Sequence, residues 1–409
     1  MENYWLKNVR LEKGYKYENG VISSTLTEIC HIRMEDGKIT NIVPFDTNIN
    51  DDLIKYDANQ MLMLPTFKEM HIHIDKTYYG GPWKAILPAT SIFDKFDEEK
   101  ELLPKLLPTA QFRAEKILET LLCFGSTHVR THCNIDPVIG LSNLEATMQA
   151  LENFSGELSH EIVAFPQHGL LRSNSVAQVR QALKQGATIV GGVDPGSVDD
   201  NIEKSLQTIM DIAVEANAGI DIHLHDRDTL GMLAMNRLAD LTEEAKWHGK
   251  VTVSHAFGFA GESSEGSAEL AERFAKLGIS ITSSVPIGNL IMPIPMLREK
   301  GVKVELGTDS LTDHWSPFGN GDNLEKAGRL AELYHHVDEL SLSQSLGYIT
   351  GGITPLDKEG NQVWPQVGDK ASVVFVDASC SAEAVARRSK KRVVLFNGNI
   401  VSGSFKKTR

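Results

Sequence analysis

The sequence predicts an α/β protein, a (β/α)8 TIM-like barrel with a small β-sandwich domain built from both termini. Three observations predict it. Short apolar runs alternate with amphipathic segments from Met61 to about Thr350, eight such runs occur, and both ends of the chain are strand-like. Continuous apolar strands that alternate with helices are typical of a parallel sheet. Eight units within roughly 290 residues also fit this barrel, for which ~250 residues is typical.

The predicted barrel strands are the apolar, β-branched runs of the central segment. They span residues 61–66, 126–133, 161–166, 187–193, 219–225, 250–256, 279–285 and 302–308. Helical patterns such as 110–125 and 175–187 separate them. The main rival fold, a doubly wound open sheet, usually binds its ligand at a glycine-rich first turn. No GxGxxG follows any predicted strand, which favours the barrel.

The two ends of the chain carry hairpin signals and little helical pattern. Asp36-Gly37 and Asn397-Gly398 are dipeptides that favour tight hairpin turns. We therefore expect residues 1–60 and 360–409 to form one composite β domain beside a barrel of residues 61–359.

The amino-acid composition and net charge of the chain limit the kinds of molecule that it is expected to bind. The chain has 409 residues and a net charge of −13, from 41 basic and 54 acidic side chains. An acidic surface repels phosphate backbones and anionic lipid, so neither nucleic acid nor membrane is an expected partner. The N-terminus lacks the pattern of a signal peptide. Four cysteines without a CxxC motif fit a reducing compartment, and the expected location is cytoplasmic.

Histidines and aspartates fall at the predicted carboxyl ends of the strands, where the chemistry of such barrels takes place. These polar positions are His71, His73, His132, Gln167, His168, Asp194, His223, His225, Asp226, His255 and Asp309. A single histidine there is more often a hydrogen-bonded core or rim residue. Scattered placement would not produce the whole set, so we expect a shared site.

The segment "EMHIHID" (69–75) indicates a metal. Alternate residues of a strand share a face, so His71 and His73 can direct two imidazoles at one point. Neutral imidazole is a good ligand for zinc or iron. A third ligand from strand 5 and a carboxylate from strand 8 would leave a position open for water. A metal bound in this way lowers the pKa of its water towards ~7.

At these positions the chain resembles the amidohydrolase superfamily, and within it the cytosine deaminase and N-isopropylammelide amidohydrolase branch. The matching stretches keep the family's order and span residues 69–75, 163–169, 220–226, 252–257 and 307–327. The resemblance implies one divalent metal ion, Zn2+ or Fe2+. The implied metal ligands are His71, His73, His223 and Asp309.

The resemblance also implies catalytic roles. His255 would orient the nucleophilic water, and Asp309 would take a proton from it. Asp226 stands where cytosine deaminases carry a proton-shuttling glutamate, and Ser310 stands where they carry a second aspartate. These two departures put cytosine itself in doubt as the substrate.

Four further residues are implied substrate contacts. Gln167 resembles the amide that reads the edge of the ring, and Trp315 resembles a residue that lines the pocket. Lys76 could contact a ring carbonyl, or it could be a solvated charge at the rim. Asp194 could line the pocket, although Asp-Pro-Gly is also good turn chemistry.

The implied function is hydrolytic removal of ammonia or an alkylamine from a small nitrogen heterocycle of the cytosine, pterin or triazine type. No lysine ends the fourth strand, where two-metal members of the superfamily usually carry one, so we expect a single metal. Relatives are often oligomers, and a homo-oligomer is expected. Two alternatives stay open, namely hydrolysis of a cyclic or linear amide and a metal-binding barrel without catalysis.

Overall fold

The computed structural model of the protein describes residues 3–261, 264–288 and 290–408. Within them the strands are β1 (Tyr4–Glu18), β2 (Val21–Glu35), β3 (Lys38–Pro44), β4 (Ile54–Asp57), β5 (Leu62–Pro65), β6 (Phe67–Ile72), β7 (Ser126–Asn134), β8 (Ser159–Phe165), β9 (Ile189–Val193), β10 (Gly219–His223), β11 (Val251–Ser254), β12 (Ser280–Ser283), β13 (Val304–Leu306), β14 (Val373–Val376), β15 (Arg392–Phe396), β16 (Asn399–Ser402) and β17 (Lys406–Thr408).

The α-helices of the same residues are α1 (Ile92–Leu106), α2 (Ala110–Cys123), α3 (Ser142–Asn153), α4 (Val176–Lys184), α5 (Ile202–Ala216), α6 (Asp228–Glu244), α7 (Ser264–Leu277), α8 (Ile294–Glu299), α9 (Asn323–Leu333), α10 (Glu339–Ser345) and α11 (Ser381–Arg387). None of these described helices combines the length and the apolar character needed to cross a bilayer.

A parallel barrel of eight strands forms the centre of the molecule. Strands β6 to β13 pair with their neighbours in chain order. The barrel closes where the backbone N–H of Asp309 donates to the carbonyl of His71 at 2.7 Å and Ile72 bridges to Asp309. Helices such as α2 bury one apolar face against it. The predicted fold class is therefore confirmed, and the carboxyl ends of β6 and β13 lie side by side.

A second, mixed sheet is built from both ends of the chain. Its strands follow the order β16-β15-β14-β5-β1-β2-β3, with β4 paired to both β1 and β17. Both predicted hairpin turns are present. Asp36-Gly37 joins β2 to β3 and Asn397-Gly398 joins β15 to β16, and all four residues have positive φ. A tight hairpin needs this backbone conformation, which Asn, Asp and Gly adopt most readily.

The prediction for the first barrel strand was wrong. The run at 61–66 contains β5, which pairs with β14 and β1 in the mixed sheet. The first barrel strand is β6, directly after it, and it includes the buried carboxylate Glu69. Glu69 is stabilised by the backbone N–H groups of His71 and Thr308. Because both runs are short and buried, an apolar pattern alone cannot tell which sheet each one joins.

Glu12 is a buried carboxyl group where β1 meets α11. Its oxygens accept hydrogen bonds from the backbone N–H and the hydroxyl of Ser381. Burial raises the pKa of Glu12 from 4.5 to about 7, against these two bonds, and the nearby Glu339 raises it further. Of its other neighbours, Cys380 has its pKa raised by burial to about 11, so the thiol stays neutral where Glu12 titrates.

This raised pKa predicts a pH-dependent stability. The protonated carboxyl stabilises the fold below pH 4.5, and that stabilisation is lost as the pH rises through about 7. Each pKa unit corresponds to ~1.4 kcal/mol, so we expect a change of up to about 3 kcal/mol. Urea unfolding at pH 5 and pH 8 should show a smaller difference for Glu12→Gln than for the wild type. Glu18→Gln, an exposed change on the same strand, serves as the control. Equal pH dependence in the two variants would contradict the assignment.

Candidate metal centre and substrate cavity

Four histidines and one aspartate converge at the carboxyl end of the barrel. The Nε2 atoms of His71 and His73 lie 3.4 and 3.6 Å from Asp309 Oδ1. The Nε2 atoms of His73 and His223 lie 3.3 Å apart, and His255 Nε2 lies 3.9 Å from Asp309 Oδ2. All four imidazoles are buried. Residues from β6, β10 and the segments that follow β11 and β13 thus surround one point.

Hydrogen bonds behind the site fix the tautomers of its first two histidines. Ser254 Oγ donates to Asp221 at 2.6 Å, so toward His71 Nδ1, 2.8 Å away, that hydroxyl can only accept. His71 therefore carries its proton on Nδ1. His73 Nδ1 lies 3.1 Å from the carbonyl of His132, which also only accepts. Both Nε2 lone pairs are left to face Asp309, as metal-ligating histidines require.

The protonation states also suit a cation. Burial first, and then neighbouring positive groups, holds the pKa values of His73 and His223 well below the usual range, so both imidazoles are neutral. Burial opposes ionisation of Asp309, but His71, His255 and His73 hold its pKa well below its ordinary value. Neutral imidazoles and an ionised carboxylate are the forms that bind metal ions.

Several imidazole nitrogen atoms of the site have no hydrogen-bond partner among the described residues, which also indicates that the site fits a metal ion. His71 Nε2, His223 Nδ1 and His255 Nε2 are buried without a hydrogen-bond partner. His71, His73 and Asp309 form one potential metal-binding triad, and His71, His223 and His255 form another. Three-nitrogen, one-carboxylate sets are accepted by Zn2+ and Fe2+ alike. The residues present therefore fit a single divalent ion.

A deeper group of side chains does not suit a second cation. His71, His132 and Asp221 also lie close together. However, the guanidinium group of Arg130 lies 2.9 Å from Asp221 and already neutralises that carboxylate. A second positive ion beside a buried arginine would be repelled.

Two residues of the site have unusual backbone conformations. His255 has a φ of 70° and Asp309 a φ of 63°. Non-glycine residues rarely adopt positive φ, and such strain costs ~1–3 kcal/mol per residue. It occurs where β11 and β13 end, and it turns both side chains toward the centre of the barrel.

A cavity of about 720 Å³ opens over the site. Three of the four predicted substrate contacts, Lys76, Gln167 and Trp315, line it. Lys76 is not a solvated rim charge, because only 1% of it is exposed. Its Nζ donates to Gln167 Oε1 at 2.6 Å and to Glu99 Oε1 at 3.1 Å. Since the oxygen of Gln167 is engaged, its NH2 group remains free to donate to a ligand.

Glu99 of α1 is a buried carboxylate that five donors share. Oε1 accepts from Lys76, His314 and Trp315. Oε2 accepts from Asn134 and His168 at 3.1 and 2.9 Å. Burial alone would raise its pKa, but Lys76 and these donors hold the pKa well below the ordinary value. Glu99 therefore fastens α1 over the carboxyl end of the barrel.

Sequence reasoning missed Glu99, although a signal was present. It lies on the same helix face as the buried Phe96, Leu103 and Leu106. A charged residue within the apolar stripe of a helix is seldom fully buried without a partner. This position on the helix predicts that Glu99 is buried and paired, whereas the neighbouring acidic residues are solvated.

Asp194 and Asp226, two of the predicted site residues, both bind backbone N–H groups beside the site. Neither residue lines the cavity. Asp194 accepts hydrogen bonds from the backbone N–H groups of His225 and Asp226 and from His225 Nδ1. Asp226 accepts from the backbone of Ser197 instead. Asp194 lies in the turn after β9 and has a positive φ. His225 lines the cavity in their place, held by Asp194.

This barrel, with histidines and an aspartate gathered at its carboxyl end, has the architecture of a metal-dependent hydrolase. Residues 96–402 match the Amidohydrolase family, and the chain belongs to that family. It is 48% identical to the uncharacterized protein YahJ of Escherichia coli strain K12, over 98% of this chain and 88% of that one.

Some of the relatives carry a named activity. The chain is 29% identical to N-isopropylammelide isopropyl amidohydrolase of Pseudomonas sp. strain ADP, covering 95% of this chain and 94% of that protein. The crystal structure of N-isopropylammelide isopropylaminohydrolase from Burkholderia multivorans superimposes with a TM-score of 0.86 at 27% identity, covering 98% of each chain.

Proposed function

We propose that this protein is a mononuclear metal-dependent amidohydrolase that removes ammonia or an alkylamine from a nitrogen heterocycle of the cytosine, pterin or triazine type. The observation that carries the proposal is the meeting of neutral imidazoles with the Asp309 carboxylate beneath a cavity lined by Lys76 and Gln167. Relatives named as an N-isopropylammelide isopropyl amidohydrolase and a pterin deaminase support it. Its homo-oligomeric state and cytoplasmic location stay predictions of the sequence.

Zinc or iron is the proposed cofactor, held by His71, His73, His223 and Asp309. When bound, such an ion lowers the pKa of water towards about 7 and so supplies hydroxide near neutral pH. The hydrogen bonds to Ser254 and to the His132 carbonyl keep the Nε2 atoms of His71 and His73 available to it.

The remaining steps belong to side chains of this protein. Asp309 Oδ2 accepts the proton of the attacking water and passes it to a ring nitrogen and then to the leaving amine. His255, 3.9 Å from that oxygen, orients the water and stabilises the developing charge. The NH2 group of Gln167 donates to an acceptor on the ring edge, and Lys76 holds the amide in that orientation.

Metal removal tests the proposal. The purified enzyme should contain close to one zinc or iron per chain by elemental analysis. Dialysis against dipicolinate should abolish release of ammonia or alkylamine from a panel of cytosine, pterin and N-alkyl triazines, and one equivalent of metal should restore it. Dihydrouracil in the same panel covers the amide-hydrolase alternative. Two metals per chain, or full turnover by the metal-free protein, would contradict the proposal.

A further inference from the structure

We propose that Lys326 and Arg329 of α9 form an anion subsite in the cavity, which selects heterocycles that carry a carboxylate substituent. This inference deepens the proposed function, and its catalytic consequence rests on that function. The subsite lies on the wall formed by α9 and by the segment after β12, and both residues line the same cavity as His223 and Asp309.

Lys326 is a buried cation with unused donors. Only 8% of the residue is exposed, and its Nζ donates to the carbonyl of Ser284 at 3.1 Å. Among the described residues no carboxylate lies within ion-pair distance of that amine. An ammonium group has three protons to donate, and a buried charge is costly unless it is paired. A ligand oxygen in the cavity would supply the missing partner.

The other buried lysine of the cavity provides the contrast. Lys76 is paired with the carboxylate of Glu99 and with Gln167, so its charge is already balanced by the protein. Lys326 instead donates to the neutral carbonyl of Ser284. Burial first, and then the positive charge of Arg329, lower the pKa of Lys326 to about 8, although Asp309, Glu69 and Glu325 act in the opposite direction. A bound anion would relieve both effects.

The charge of this wall matches a carboxylate. Arg329 lies 3.4 Å from Glu325, which also lines the cavity. Glu325 thus offsets one of the two positive charges, and the single charge left suits a monoanion better than a phosphate. A cavity of about 720 Å³ lies in the range that holds drug-sized ligands. It has room for a ring over the metal centre and a substituent that reaches α9.

Binding to matched ligand pairs tests the subsite. The pairs are pterin with pterin-6-carboxylate and cytosine with 5-carboxycytosine, titrated by calorimetry into the metal-loaded enzyme. Hydrogen bonds to charged groups contribute about 1.5–3 kcal/mol, which corresponds to roughly 10- to 100-fold in affinity. We expect Lys326→Met to weaken binding of at least one carboxylate by this factor and to leave its neutral parent within about twofold. Lys326→Arg should keep most of the preference.

Control variants distinguish a failure of the proposed anion subsite from a failure of the proposed function. Lys300→Met removes a lysine paired with the exposed Glu272 and should leave the affinity for both ligands of each pair unchanged. If Lys326→Met does not fold, Arg329→Met replaces it. If carboxylate binding depends on Lys326 but no substrate releases an amine, the subsite is supported and the proposed function is contradicted. If neutral rings are turned over and both ligands of each pair bind with equal affinity, the subsite is contradicted and the proposed function is supported.

Discussion

Asp309→Asn is expected to lower kcat for amine release by about 100- to 10,000-fold, the range typical of a lost general base. The substitution keeps the size of the side chain, and the backbone N–H that closes the barrel against His71 is unchanged. It removes the charge that the surrounding imidazoles stabilise. A neutral amide is a weaker ligand than a carboxylate and cannot accept the proton, so the metal content should fall as well.

The measurement combines amine release with elemental analysis and circular dichroism. Asp211→Asn, an exposed change on α5, is the control and should behave as the wild type in all three. Turnover by Asp309→Asn within a few-fold of the wild type would end the assignment of Asp309 as a proton acceptor.

Glu99→Ala is expected to lower the free energy of unfolding by about 3–5 kcal/mol. Removing one partner of a buried ion pair leaves the other charge uncompensated, which costs this amount. Here the abandoned charge is that of Lys76, and four further donors lose their acceptor at the same time. Because Lys76 also orients Gln167, KM should rise more than kcat falls.

Urea unfolding and steady-state kinetics check this expectation. Glu101→Gln, an exposed change on the same helix, is the matched control. The double variant Glu99→Ala with Lys76→Met removes both charges and should recover part of the lost stability, which a double-mutant cycle would show as coupling. A Glu99→Ala protein as stable as Glu101→Gln would show that the carboxylate does not fasten the helix.

The barrel and the meeting of its candidate metal ligands were largely predictable from the sequence because they depend on local patterns. Each strand is a short apolar run, and the carboxyl ends of parallel strands meet at one edge. His71, His73, His223, His255 and Asp309 therefore had to approach one another once the fold class was known. The first strand was misplaced because two adjacent apolar runs join different sheets.

The surroundings of the centre were less predictable because they depend on long-range partners and on turns. Glu99 contacts residues up to 216 positions away, and Lys326 donates to a carbonyl in the segment after β12. No local pattern reports such pairs. Asp194 and Asp226 follow strands as expected, but their carboxylates accept hydrogen bonds from backbone N–H groups of the neighbouring loops, and Asp194 has a positive φ. The direction of a side chain beyond a strand end is set by that turn, which the residue types alone did not reveal.

The attachment of α1 has a consequence for how a ligand reaches the cavity. A helix held by one carboxylate to the loops that follow β6, β7, β8 and β13 cannot swing aside without breaking all of those contacts together. Ile287 and Phe318 also border the cavity and are 75% and 76% exposed, so a ligand can reach it from solvent beside these two side chains. Entry of the substrate and release of the product would then both take place past an apolar border.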